Sequence, residues 1–231
     1  FSKRMAYLIR YPHGCVEQTT SSIFPQLYLT DIFDLTAKKK KQIQRNIETA
    51  IDKLGRFQNA TGGLCYWMGE SSPNDWGTSY AGHFMIEAEN KGFVLPLTFK
   101  NNWINYQRQA ARNWRPSYKN YRSDFAQAYR LYTLALAGSP DLASMNRLRE
   151  FEEISNDAKW RLAAAYALAG QKEASDAISK SANIDFELDK TDTYTYGSVE
   201  RNRAMALETM LLTNHPKKTD LAKSIAKSLA S

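Results

Sequence analysis

A-Y-R-L-Y-T-L-A-L-A-G (residues 128–138) and R-L-A-A-A-Y-A-L-A-G (residues 161–170) are variants of one pattern. Small residues and tyrosines recur at helical spacing, and a glycine closes each run. Alanine-rich faces of this kind let neighbouring helices approach closely. The same periodicity extends outward along the chain. Ile43, Ile47, Ala50, Ile51 and Leu54 form a stripe that runs on to Phe57, and Tyr80, Phe84, Met85 and Ala88 form another ending near Gly92. Phe125 to Leu136 stops at Gly138 and Pro140, Leu162 to Ala169 stops at Gly170, and Ala204, Leu207, Met210 and Leu211 end before Pro216. No segment alternates with strand period over a convincing length. The chain is therefore expected to be all-α, and its repeated helices predict a solenoid or a closed ring.

The segment F-Q-N-A-T-G-G-L-C-Y-W at 57–67 narrows that choice. A helix end, a Gly-Gly turn and an aromatic insertion resemble the helix-to-helix turns of α/α toroids, in which inner and outer helices alternate. No linker rich in Pro, Gly and Ser divides the chain, so residues 1–231 are expected to form a single domain.

Composition excludes several classes. Hydrophobic residues at 43% and aromatics at 12% suit an ordinary globular protein. No run of eighteen apolar residues exists to span a membrane. The net charge is +7, but the only dense run, Lys38 to Lys41, lies between helical patterns and reads as a solvated turn. With no recognised motif beside it, a nucleic-acid partner is not expected. The opening F-S-K-R-M-A-Y has neither an initiator methionine nor an apolar signal region, so the chain is expected to be a piece of a longer polypeptide. Cys15 and Cys65 have no further ligands at metal spacing, so neither a metal nor any other cofactor is expected. Whether the two cysteines pair in a disulfide stays open at this level.

The chemistry concentrates in Y-P-H-G-C-V-E-Q-T-T-S-S at 11–22. Side chains three apart on a helical turn share a face, with β-carbons roughly 5–6 Å apart. Cys15 and Gln18 then stand within reach of a bond between sulfur and the carboxamide carbon. The positive end of a helix favours a thiolate, the form that attacks. An ordinary amide resists a thiol, so the fold would have to hold the atoms together and exclude water. The alternative is a small buried cysteine next to a solvated glutamine.

G-C-V-E-Q resembles the G-C-x-E-Q thioester signature of the α2-macroglobulin and complement family, and the wider Y-P-H-G-C-V-E-Q-T-T-S looks most like its bacterial members. W-G-T-S-Y-A-G-H-F-M-I-E-A at 76–88 also resembles that family's W-x-T-x-Y-x-x-x-F helix. The family's thioester domain is an α/α toroid of about this length. The resemblance therefore implies that the whole chain is a thioester domain of a broad-spectrum endopeptidase inhibitor. It implies that Cys15 and Gln18 are the two halves of an internal thioester, with Gly14 and Glu17 completing the motif. Cleavage of a bait region elsewhere in such a protein exposes the bond, and a lysine amine of the attacking protease is captured on Gln18. The partners implied are target proteases and other domains of the same polypeptide. The setting implied is the bacterial cell envelope, periplasmic or membrane-anchored, in a defensive role. No catalytic residue is implied, because each molecule reacts once.

Tyr11, four residues before Cys15, is a candidate shield for the bond, with ordinary aromatic packing as the equal alternative. Trp67, Trp76 and Tyr80 are expected in the core, and His13 to flank the site incidentally. Some complement proteins use a distant downstream histidine for transfer to hydroxyl groups. None of His13, His83 and His215 falls in the stretch from 84 to 214, so direct aminolysis is expected. Asn59-Ala60-Thr61 fits a glycosylation sequon by chance. Two rival readings remain. One is an α/α-toroid carbohydrate-active enzyme using carboxylates such as Asp75, Glu87 and Asp124. The other is a non-reactive helical scaffold.

Overall fold

Every extended element in the computed structural model is helical among the described residues, which are 7–116, 123–186 and 195–230. Two isolated β-bridges, Gln58 with Leu64 and Cys65 with Pro73, shape the Gly-Gly turn. The chain divides into two compact units, one ending at Gln107 and the next starting at Arg108.

In the first unit, α1 (Val16–Ile23) leads through a 3-10 turn (Phe24–Leu27) into the short α2 (Leu29–Ile32). Three longer helices follow, α3 (Ala37–Gly55), α4 (Asp75–Asn90) and α5 (Phe99–Asn113), the last running across the boundary. The α3 helix starts where the Thr36 hydroxyl accepts from the Lys39 N–H, and its apolar stripe is buried as the spacing predicts. Lys38 to Lys41 are solvated, yet they stand in the first turns of α3 rather than in a turn. Lysine is a good helix former, and a solvated helical face suits it. The α4 helix is buried almost all round, so its polar residues bond inside. Gly82 lies on the Trp103 indole, which donates to the Thr78 carbonyl at 2.8 Å. Trp76 is in the core as expected, Tyr80 is partly exposed, and Trp67 is 50% exposed. The Trp67 ring stacks edge-on against Tyr66 instead of entering the core.

The second unit is built on α8 (Asn156–Leu168). Against it pack α6 (Ser123–Leu136), α9 (Lys172–Ser181) and α10 (Val199–Leu212). The short α7 (Leu142–Arg149) and the terminal α11 (Lys218–Ala230) lie alongside. Ala163, Ala164 and Ala165 are fully buried, which is how three neighbours crowd one helix. The two matching sequence runs end in the same geometry. Ser139 N–H donates to Leu134 O and Gly138 N–H to Ala135 O; Gln171 donates to Tyr166 and Gly170 to Ala167. That double closure needs a left-handed residue, and the glycines supply it at φ +72° and +73°. Asn214, at φ +53°, closes α10 in the same way.

One apolar stripe is out of phase with the sequence reading. Asn202, Ala206, Thr209 and Met210 form the buried face of α10, while Ala204 and Leu211 are exposed. Two polar residues hide that face from a hydrophobicity count, because each has a buried partner. Asn202 donates to Asp157 at 3.0 Å and Thr209 to the Trp160 carbonyl at 3.0 Å.

Candidate functional site

Cys15 is where α1 begins. Gly14 turns the chain at φ +90°, Cys15 is extended at φ −70° and ψ 177°, and Val16 starts the helix. The Val16 N–H donates to the Tyr66 carbonyl at 3.1 Å, tying the helix start to the Gly-Gly turn region. A helix N-terminus leaves backbone N–H groups without helical acceptors, and here the motif's own side chains supply them. The Cys15 sulfur accepts from the Gln18 N–H at 3.5 Å. In return the Cys15 N–H donates to Gln18 Oε1 at 3.2 Å. This is a capping box with cysteine in the place normally held by serine or threonine. Thiol and carboxamide are therefore folded back over one turn, each bonded to the other residue's backbone.

Gly14 makes room for this. A β-carbon there would stand 2.1 Å from Gln18 Oε1 and 3.0 Å from both Cβ and Cδ. On the far side Gly77, in the first turn of α4, presses on the Val16 side chain, where a β-carbon would come within 2.7 Å. The hydroxyls after Gln18 are spent locally. Thr19 donates to the Gly14 carbonyl, Thr20 to Val16, Ser22 to Thr19, and Ser21 to the Glu17 carboxylate at 2.6 Å.

The pair is buried unequally. Cys15 is 1% exposed, whereas the Gln18 side chain is exposed. Gln18 opens on a cavity of about 460 Å³ whose lining includes Tyr11, His13, Glu17, Ser21 and Ser22. Tyr11 lines this cavity and is itself 62% exposed. A larger groove of about 720 Å³ runs past Leu27, Ile43, Ile47 and Phe93, but neither Cys15 nor Gln18 reaches it. Sequence reasoning overlooked the parts that fix the approach to the site. Gln26 and Asn46, both buried, donate to the Arg10 carbonyl at 2.7 and 3.2 Å, and Asn46 donates to Gln26 at 3.0 Å. Asn46 interrupts an apolar stripe, and that break was the available signal.

Other candidates are engaged elsewhere. Cys65 is not disulfide-bonded to Cys15; its thiol donates to the Glu70 carbonyl at 3.0 Å, and burial together with the Glu70 charge pushes it up. His83 is buried with its ring edge-on to Phe24 and 4.0 Å from Glu87. Glu87 accepts from the Tyr28 hydroxyl at 3.0 Å, and Asp124 from the Ser155 N–H at 2.7 Å. Both carboxylates serve as structural acceptors. Among the described residues no group of three His, Cys, Asp or Glu could hold a metal ion.

Comparison with known proteins gives this geometry a family. Alpha-2-macroglobulin of Xylella fastidiosa (strain Temecula1 / ATCC 700964) is 26% identical over 220 residues, which is 90% of this chain and 13% of that protein. A crystal structure of Salmonella alpha-2-macroglobulin reacted with methylamine superposes with a TM-score of 0.83 at 23% identity, covering 98% of this chain and 16% of that one. The native conformation of Escherichia coli alpha-2-macroglobulin gives 0.79 at 22% identity, covering 98% and 15%. The chain thus spans a small part of the relatives it matches, and its fold is theirs, an all-α protein of the α/α-toroid class. The model of the A-macroglobulin TED domain matches residues 2–231, and the chain belongs to that family.

Proposed function

We propose that Cys15 and Gln18 form an internal thioester and that this chain is the reactive domain of a bacterial α2-macroglobulin-like endopeptidase inhibitor. The reciprocal capping box carries the reading. It brings the sulfur and the carboxamide to one helical turn before any bond forms, supplying the proximity that an unreactive amide requires. Sulfur attacks the Gln18 carboxamide carbon, ammonia leaves, and a ring closes across Val16 and Glu17. A lysine amine of a target protease later attacks the same carbon from the cavity. The C–S bond breaks, the Cys15 thiol is released, and an isopeptide bond remains. Each molecule acts once, so the chain is an inhibitor rather than a catalyst. Aminolysis is the favoured transfer, because no histidine falls in the stretch from 84 to 214. Target proteases and the remaining domains of a longer polypeptide are the partners, in the bacterial cell envelope.

Mass spectrometry of the untreated chain tests this. An intact thioester is lighter by one ammonia and has no free thiol on Cys15. A hydrolysed one has a carboxylate in place of the Gln18 carboxamide, with the corresponding gain in mass. A chain in which the bond never formed shows neither change, and that result, repeated after trapping with methylamine, refutes the proposal.

A further inference from the structure

Gln26 is fully buried, and both hydrogens of its carboxamide go to backbone carbonyls of two different segments, Arg10 at 2.7 Å and Ser22 at 3.0 Å. Both segments line the cavity onto which Gln18 opens. Arg10, Tyr11 and His13 come from the loop before Cys15, and Glu17, Ser21 and Ser22 from α1. Asn46 braces this bridge from α3: its amide donates to the same Arg10 carbonyl at 3.2 Å and to Gln26 Oε1 at 3.0 Å. The two carbonyls can only accept, which fixes the orientation of both amides. Nothing in α3 itself calls for a polar side chain at Asn46, because Ile43, Ile47 and Ala50 on the same face are buried and apolar. A buried amide without these partners would leave unpaired donors, whereas an apolar side chain would not. The restraint at Arg10 reaches the cavity because the next residues are stiff. A proline disfavours helical conformations for the residue before it, here Tyr11, and Pro12 has its own φ fixed.

We propose, on the thioester reading above, that Gln26 and Asn46 are positioning residues that hold the two sides of this cavity at a fixed spacing. That spacing selects unbranched primary amines, the class to which a lysine side chain belongs. Neither residue lines the cavity; they act through the Arg10 and Ser22 carbonyls. An approach held rigid discriminates by shape, since a branched amine enters only if one side gives way. With the bridge cut, the loop can move away from α1, and the preference for an unbranched amine falls toward that of the bare chemistry.

The test compares the wild-type chain with Gln26→Met and Asn46→Leu, each close in shape to the residue removed. Gly82→Ala serves as a destabilised control, because Gly82 lies on Trp103 and does not line the cavity. Mass establishes loss of ammonia in each chain, and urea unfolding establishes that each is folded. Release of the Cys15 thiol is then followed with n-butylamine and with sec-butylamine, amines of equal composition and similar basicity. A small thioester in solution supplies the intrinsic ratio of their rates. The wild-type chain is expected to prefer n-butylamine beyond that ratio. Gln26→Met, which severs the bridge, should lower the preference about fivefold, the effect of one lost hydrogen bond. Asn46→Leu leaves the bridge unbraced and should lower it about twofold. Gly82→Ala should leave it unchanged. If Gln26→Met does not fold, Asn46→Leu decides alone. A wild-type preference no greater than that of the small thioester overturns the proposal. So does an unchanged preference in the folded variants, or an equal fall in Gly82→Ala. Folded variants that never lose ammonia overturn it too, because the bridge would then serve ring closure instead of access. Absence of ammonia loss in the wild-type chain is a separate failure, of the thioester reading itself.

Discussion

Replacing Gly14 with alanine tests the site at its narrowest point. Two penalties follow from the geometry. The first is conformational: Gly14 sits at φ +90°, where an L residue costs roughly 1–2 kcal/mol. The second is steric. A β-carbon would stand 2.1 Å from Gln18 Oε1 and 3.0 Å from Gln18 Cβ, so the side chain cannot escape by rotating its end alone. The carboxamide must leave, and the Cys15 N–H loses its 3.2 Å acceptor, a further loss of about 1 kcal/mol. Urea denaturation should therefore show a destabilisation of roughly 2–3 kcal/mol with an unchanged slope. The functional effect should be larger than the stability effect, because the acyl carbon moves off the sulfur. Ammonia loss should vanish from the mass spectrum under conditions where most of the variant is still folded. A folded alanine variant that loses ammonia as the wild type does would refute this account, since the turn would then tolerate a side chain in the space that Gln18 needs.

The remaining expectations concern the scaffold. Gly82→Ala places a β-carbon 2.3 Å from the indole of Trp103, a side chain 1% exposed, and should lower stability by about 1–3 kcal/mol in denaturant titration. Arg161 is fully buried, 2.6 Å from Glu208 and with its guanidinium 4.2 Å from the Tyr132 ring centre. The Glu208 side chain is 41% exposed, so Arg161→Met should cost only about 1–2 kcal/mol, with a small coupling to Glu208→Leu in a double-mutant cycle. Burial raises the Asp141 carboxyl, but the Ser144 N–H and the Arg112 guanidinium, at 3.0 and 2.8 Å, together hold it below its ordinary range. A lowered carboxyl contributes stability that is present above its unfolded-state value and lost as pH falls through the folded one. Asp141→Asn should accordingly flatten part of the acid limb of a stability–pH curve and leave the neutral plateau lower.

Helical content was legible because burial in this chain follows period. Ile43, Ile47, Ala50, Ile51 and Leu54 are apolar in sequence and buried in the fold. Gly138 and Gly170 announced their helix ends because the closure they form needs a left-handed residue. Legibility failed where polar residues carry the packing. The buried face of α10 holds Asn202 and Thr209, whose partners Asp157 and Trp160 lie on α8 and cannot be inferred from local pattern. The site shows the same division. Spacing alone put Cys15 and Gln18 on one turn, and Gly14 and Gln18 then explain each other. The role of Asn46 depends on α3 lying against the loop before Cys15, which is tertiary information. Trp67 was misplaced for a related reason: a turn residue's exposure is set by its neighbours, not by its hydrophobicity.

If Cys15 and Gln18 react as proposed, their unequal burial has a consequence for lifetime. A capping box brings N-cap and N3 side chains together from different directions, so one can face the core while the other faces outward. Here the sulfur is 1% exposed and the Gln18 side chain is exposed. A leaving group that departs inward and an acyl carbon open to a cavity suit capture of a bulky amine, which needs access to only one side. Water can use the same entrance, whose lining includes Tyr11, itself 62% exposed. On the proposed reading, the thioester should therefore hydrolyse faster in this chain alone than in a protein whose other domains cover the cavity. Incubating the isolated chain and a longer form side by side, and measuring conversion of the ammonia-loss species to the hydrolysed carboxylate, decides the matter. Equal lifetimes would mean that protection arises within this domain, and the open cavity would then have no bearing on hydrolysis.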